Sequence, residues 1–261
     1  MLGHDHLRSR LDEACRRINV PGFVADDPVQ FPRRFSAQPD IELMAILASA
    51  IAWGRRPQIL KDCEKLLALM EGEPHAWLMS GEWRRLPPRL NIHRTCFARH
   101  LQYLLGGLHE VYARFSTLEE FARKAGVPVA EAPAWRLIEA LRQIATDVAG
   151  GISCPEVIPS DLAGTALKRY NMALRWLVRD DGIVGLGLWK ALTPAQLFIP
   201  LDVHVANTSR SLGLLHRRSS DRKAVVELTG TLRGFCPEDP VKYDFALFGL
   251  GVEGAAAGRE L

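Results

Sequence analysis

The chain has 261 residues, 48% of them apolar and 24% charged, with 33 Lys and Arg against 30 Asp and Glu for a formal charge of +3. That apolar share buries a sizeable core and excludes a disordered tail protein, while the longest apolar stretch, 43–53, is broken by Ser49 and too short to span a bilayer. Residues 1–10 carry charge where a secretion signal needs an apolar core. The five cysteines (Cys15, Cys63, Cys96, Cys154, Cys236) are scattered and form no CxxC pair, so a soluble protein of a reducing cytoplasm is expected. Of the 33 cations, 26 are Arg and 7 are Lys, a bias compatible with phosphate recognition and so with a nucleic-acid partner.

Periodicity predicts helices almost everywhere and no convincing strand. In chain order, Asp40 is a plausible N-cap for a helix over 41–53, stopped by Gly54. Pro57 suits the first turn of the next, whose apolar positions Ile59, Leu60, Cys63, Leu66, Leu67 and Met70 form one stripe before Gly72 and Pro74 close it. An Arg- and Pro-rich loop over 83–91 precedes a long amphipathic segment over 94–115, and Thr117 with Glu120 reads as a capping box. Helices are further expected over 131–149, 165–179, 202–213, 221–234 and 239–249, with a loop at 151–166 and a small-residue tail at 254–258. The fold class expected is all-α, with about ten helices.

Two segments could carry chemistry. In LAGTALKRYNMALRW (162–176) a tight turn precedes a helix start, with Lys168 in the first turn. Helix N-termini attract anions such as phosphate, and a lysine at the positive end of the dipole, beside Arg169, would have its pKa lowered toward a nucleophilic amine. The plainer reading is a solvated Lys-Arg pair. In IPLDVHV (199–205) Asp202 stands at a helix start, either as a simple N-cap or as a carboxylate sharing a cleft with Lys168.

The order turn, Lys, helix, then Asp at the next helix start resembles the helix–hairpin–helix DNA glycosylases. Their hairpin LPGVGRKTAN is similar to LAGTALKRYN (162–171), which keeps the Leu, the first Gly, the Lys and the Asn, with Ala163 for the Pro and Ala166 for the second Gly. IPLDVHV resembles their VDTHV-type motif, and ELMAILASA (42–50) their ELLIAVLLSAQ helix, with Ile51 at the Gln. The 34 positions between Lys168 and Asp202 and the IPLD ending are more similar to the archaeal 8-oxoguanine glycosylase branch. The whole chain, including KRYNMALRWLVR, LWKALTPAQL and DPVKYDFALFGLGV, looks like an uncharacterised bacterial family described as a domain of unknown function (DUF2400).

The resemblance implies one two-subdomain helical unit, with 40–160 as one subdomain, 1–39 plus 161–261 as the other, and an active cleft between them. It implies base extrusion and a glycosylase with abasic-site lyase activity, on an oxidised purine such as 8-oxoguanine in damaged double-stranded DNA. Lys168 and Asp202 would be catalytic, and Gly164, Thr165 and Arg169 would hold the DNA backbone. Ile51 or Trp53 would fill the vacated stack, and Asp244, Phe245 and His204 would line the base pocket, although Phe245 and Phe248, like Trp176 and Trp189, also fit a core. The four-cysteine iron–sulfur loop is missing, so no cofactor is expected. His4-Asp5-His6 lies at a terminus expected to fray and is assigned no metal, and a monomer associated with the nucleoid is expected. The alternative is a non-catalytic DNA- or RNA-binding module on the same scaffold. A metal-dependent hydrolase using Asp202 and His204 lacks the paired His-Asp spacing such sites need.

Overall fold

The computed structural model describes residues 4–256, with side chains from Asp5 to Gly251; apart from one short hairpin the regular structure is helical. The His4 side chain and the end of the 254–258 tail lie outside the described residues. The terminus expected to fray instead opens α1 (His4–Ile18), whose buried Leu7, Leu11, Ala14 and Cys15 recur at helical spacing. After α2 (Pro21–Ala25) come two 3-10 turns, the first capped by Asp27, whose carboxylate accepts from Val29 N at 3.0 Å.

Every residue from Glu42 to Ala50 is buried in α3 (Gln38–Ala50). A helix that is covered on all sides shows no amphipathic stripe. It starts before Asp40, whose carboxylate accepts from His75 N (2.8 Å) instead of capping α3. Next come α4 (Arg56–Leu69), with Pro57 at its second position, and α5 (Pro74–Ser80). Pro74 was expected to close a helix; it opens one, because its missing N–H costs nothing in a first turn.

The hairpin β1 (Asn91–His93) and β2 (Cys96–Phe97) is antiparallel, and strands of three and two residues are too short to display alternation. It delays the start of α6 (Ala98–Arg114) beyond the expected 94. Half of the predicted capping box is present on α7 (Leu118–Lys124): Thr117 Oγ1 accepts from Glu120 N (3.0 Å), while the Glu120 carboxylate accepts from Ser116 N (2.9 Å), one residue before the cap. Glu42, at 0% exposure, accepts from Leu118 N (2.7 Å), Glu119 N (3.0 Å), Tyr112 Oη (3.2 Å) and Gln38 Nε2 (3.1 Å), so this motif glutamate ties α3 to the start of α7. Burial, with the Glu42 charge beside it, pushes the Tyr112 hydroxyl well above its ordinary range.

α8 (Pro133–Val148) packs on α6 at Gly107, where a Cβ would stand 2.8 Å from Ala145 Cβ. Gly107→Ala is therefore expected to destabilise the protein by about 1–3 kcal/mol through overpacking. Gly230→Ala, whose Cβ would meet nothing within 4 Å, should instead stabilise it by about 1 kcal/mol. Urea denaturation of both variants checks the opposite signs.

The last helices are α9 (Lys168–Val178), α10 (Val203–Ser211), α11 (Arg222–Phe235) and α12 (Tyr243–Ala256). The chain separates into two compact units, one made of the part up to Phe23 with that from Ala163 onward, the other of Val24–Leu162. Residues 24–39 fall with the second unit, whereas the resemblance groups them with the first. Val29 and Phe31, both 0% exposed, lie in a segment whose two 3-10 turns pack on α3. In the first unit α12 packs against α1 and α10.

Candidate active site

The turn before Lys168 is built by its own residues. Leu167 sits at φ +46, a left-handed conformation that ends any helix attempting to start at Thr165, so α9 begins at Lys168. The Leu167 side chain is 3% exposed, and its N–H donates to Thr165 Oγ1 (3.4 Å). Asn171, 2% exposed, donates from Nδ2 to Ala166 O (3.0 Å) and from its backbone N to Leu167 O (2.9 Å). The motif asparagine is thus the clamp that sets the turn, a role sequence matching alone did not reveal. Gly164 is exposed, and Thr165, Lys168 and Arg169 are half-buried.

Asp202 is placed by the buried approach Ile199–Leu201, where Ile199 N donates to the buried Thr229 Oγ1 at 3.1 Å. It caps α10, its Oδ1 accepting from Val205 N (2.9 Å). Its other carboxylate oxygen makes no hydrogen bond among the described residues, and no salt bridge there joins it to Lys168. Lys168 and Asp202 each stand half-buried at a helix N-terminus within one unit. His204 lies exposed two positions on.

The expected base-pocket pair is engaged elsewhere. Asp244, in the first turn of α12, lies 2.7 Å from Arg175 Nη1, and the Arg175 guanidinium stands 4.4 Å from the Phe245 ring centroid. Phe245 is 2% exposed, with Phe23 edge-on at 5.3 Å, so it offers no face to an extruded base and is core instead. Trp176 and Trp189, each 1% exposed, are core as well.

Beside them Arg179 grips Asp239 from Nε (2.9 Å) and Nη2 (2.8 Å) and Asp181 from Nη1 (2.7 Å). Asp181 Oδ1 accepts from the amides of Ile183, Val184 and Gly185 at 2.8–2.9 Å. Burial works to raise the Asp181 carboxyl, but those amides, the Arg179 charge and Asn19 outweigh it and hold it below the ordinary aspartate range.

Ile51 is 1% exposed and cannot act as a wedge in this conformation, because the all-round burial of α3 continues through it. Trp53, two positions on, is half-buried, its ring edge-on to that of His93 (4.6 Å between centroids). His93 had no sequence signal: its partners, Asp62 and the Trp53 carbonyl, lie 31 and 40 positions away. Among the described residues no three His, Cys, Asp or Glu side chains gather as a metal site requires, and no helix is long and apolar enough to cross a membrane.

These features define an all-α chain of two helical units, with a turn-borne lysine and a helix-capping aspartate in one of them. The chain belongs to the family described as "Protein of unknown function (DUF2400)", which matches residues 27–253. No match was found among curated proteins or among solved structures.

Proposed function

We propose that the chain is a DNA-repair glycosylase with abasic-site lyase activity, acting on an oxidised purine such as 8-oxoguanine in double-stranded DNA. The observation that carries the reading is the placement of Lys168 as the first residue of α9, directly after a clamped turn, together with Asp202 capping α10 through one oxygen while the other makes no hydrogen bond among the described residues. The Lys168 amine attacks C1′ of the sugar as the bond to the base breaks; the base departs with the electron pair and takes up a proton. Asp202 stabilises the positive charge that develops on the sugar. Ring opening of the amine adduct gives a Schiff base, loss of a C2′ proton expels the 3′ phosphate, and water then releases Lys168. Gly164, Thr165 and Arg169 hold the adjoining phosphates.

Borohydride reduces the Schiff base and leaves protein covalently on DNA, which makes it the direct test. Wild type should be trapped on damaged or abasic duplex, Lys168→Gln should lose at least about a thousandfold of that signal, and Lys223→Gln, in α11, should retain it. No adduct on any oxidised, deaminated, alkylated or abasic duplex refutes the lyase. Ala166, where the resembling hairpins carry their second glycine, favours the second reading, a non-catalytic DNA- or RNA-binding module. That reading predicts duplex affinity that falls steeply with salt and is unchanged by Lys168→Gln.

A further inference from the structure

His93 is wholly buried at the end of β1, and both nitrogens of its ring face oxygen. Nδ1 lies 2.7 Å from Asp62 Oδ2, and Nε2 lies 2.8 Å from the carbonyl oxygen of Trp53. A carbonyl can only accept. Asp62, 2% exposed, also accepts from Lys65 Nζ (2.7 Å) and Gln58 Nε2 (2.9 Å). Burial works to raise its carboxyl, but the bonds from Lys65, Gln58 and His93 outweigh that and hold it below the ordinary range, so it too only accepts. A neutral imidazole carries one N–H and would leave one of these contacts as lone pair against lone pair. Satisfying both contacts takes a proton on each ring nitrogen.

This strut ends on the turn that follows α3. The His93 ring supports Trp53 both through its carbonyl and edge-on against its indole. The next residue, Gly54, has φ +94, and a Cβ there would collide with the guanidinium of Arg94. Arg94, adjacent to His93 and itself at φ +49, thus reaches across the turn, held by Asn91 Nδ2 donating to its carbonyl (2.7 Å). Arg55 and Arg94 are exposed and Trp53 is half-exposed, so an aromatic ring and two guanidinium groups gather within one residue of Gly54 or against it. A π-face for a base beside cations for phosphates is the chemistry of a nucleic-acid contact.

We infer that His93 is a positioning residue, a buried imidazolium paired with Asp62 that fixes the Trp53 turn so that Trp53, Arg55 and Arg94 form one nucleic-acid-contacting edge. For its ligand the inference rests on the DNA reading above; for the strut it rests on geometry alone. In the full chain at pH 7, ring 15N signals of backbone-assigned His93 should show both nitrogens protonated, and a single neutral tautomer overturns the strut without touching the DNA reading.

The edge is tested by fluorescence anisotropy on a duplex with a tetrahydrofuran abasic-site analogue. Trp53→Ala and His93→Leu should each weaken binding about tenfold, and the double variant should be no weaker than Trp53→Ala alone, because His93 acts through Trp53. Additive losses, or wild-type affinity in His93→Leu, overturn the positioning role. If His93→Leu does not fold, the ring signals still decide the strut, and wild-type affinity in both Trp53→Ala and Arg94→Gln overturns the edge. A doubly protonated ring in a wild-type chain that binds no duplex overturns the edge together with the DNA reading and leaves the strut as architecture.

Discussion

Asp202→Asn is expected to keep α10 capped while slowing strand cleavage at an abasic site by about two to three orders of magnitude. An asparagine oxygen can accept from Val205 N as Asp202 Oδ1 does, so the local structure survives the exchange. What disappears is the negative charge, which the proposed reaction needs where the sugar becomes cationic. Asp202→Ala should show the same kinetic loss plus about 1 kcal/mol of destabilisation, the cost of an unfilled cap. Single-turnover cleavage of abasic duplex, run beside urea denaturation of each variant, separates the two effects. Wild-type cleavage by Asp202→Asn would reduce Asp202 to a cap and remove it from the chemistry.

Arg179→Met is expected to cost about 3–5 kcal/mol, because it removes the buried cation that two largely covered carboxylates share. Arg179 is 5% exposed, and its guanidinium satisfies Asp239 and Asp181 together while lying 5.5 Å from the Phe245 centroid. Asp239 precedes α12 and Asp181 organises the loop after α9, so one side chain ties both to the same helix. The acid dependence follows from the sign of the shift. Asp181 is held below its ordinary value of 3.8, so its contribution is complete above that value and is lost as the pH falls through the lowered one. In Arg179→Met the carboxyl moves back toward its ordinary value, and the fall in stability below about pH 4 should be shallower than in wild type. Denaturation midpoints of the two proteins across the acid range check this, and parallel pH profiles would show that Arg179 contributes little to holding Asp181 ionised.

Much of the helical layout was legible in the sequence where the cause is local. Thr117 and Asp202 were read as caps and each accepts from an amide three residues on, since a cap needs only its own first turn. Start positions failed where a residue outside the helix decides them. Asp40 does not cap α3, its carboxylate instead accepting from His75 N in the first turn of α5, and Thr165 lies outside α9 because the buried Leu167, in a left-handed turn, comes between them. The site residues divided the same way. Lys168 and Asp202 were found through motif order, whereas Ile51 was read as a wedge and Phe245 as either a base-pocket or a core residue; both are buried, since a run of apolar letters does not say which of them neighbours cover.

Composition, periodicity and caps therefore determined the all-α class and most of the helices, because these rest on interactions within a few residues of chain, while the family resemblance in motif order singled out the lysine and aspartate worth testing. Tertiary structure alone decided that Glu42 anchors α7, that Arg175 and Arg179 occupy Asp244, Asp181 and Asp239, and that His93 joins Asp62 to Trp53. Except for Arg179 and Asp181, two positions apart, each of these pairs joins groups tens of residues apart in the chain. Burial makes such pairing obligatory, but only the packed chain selects the partner.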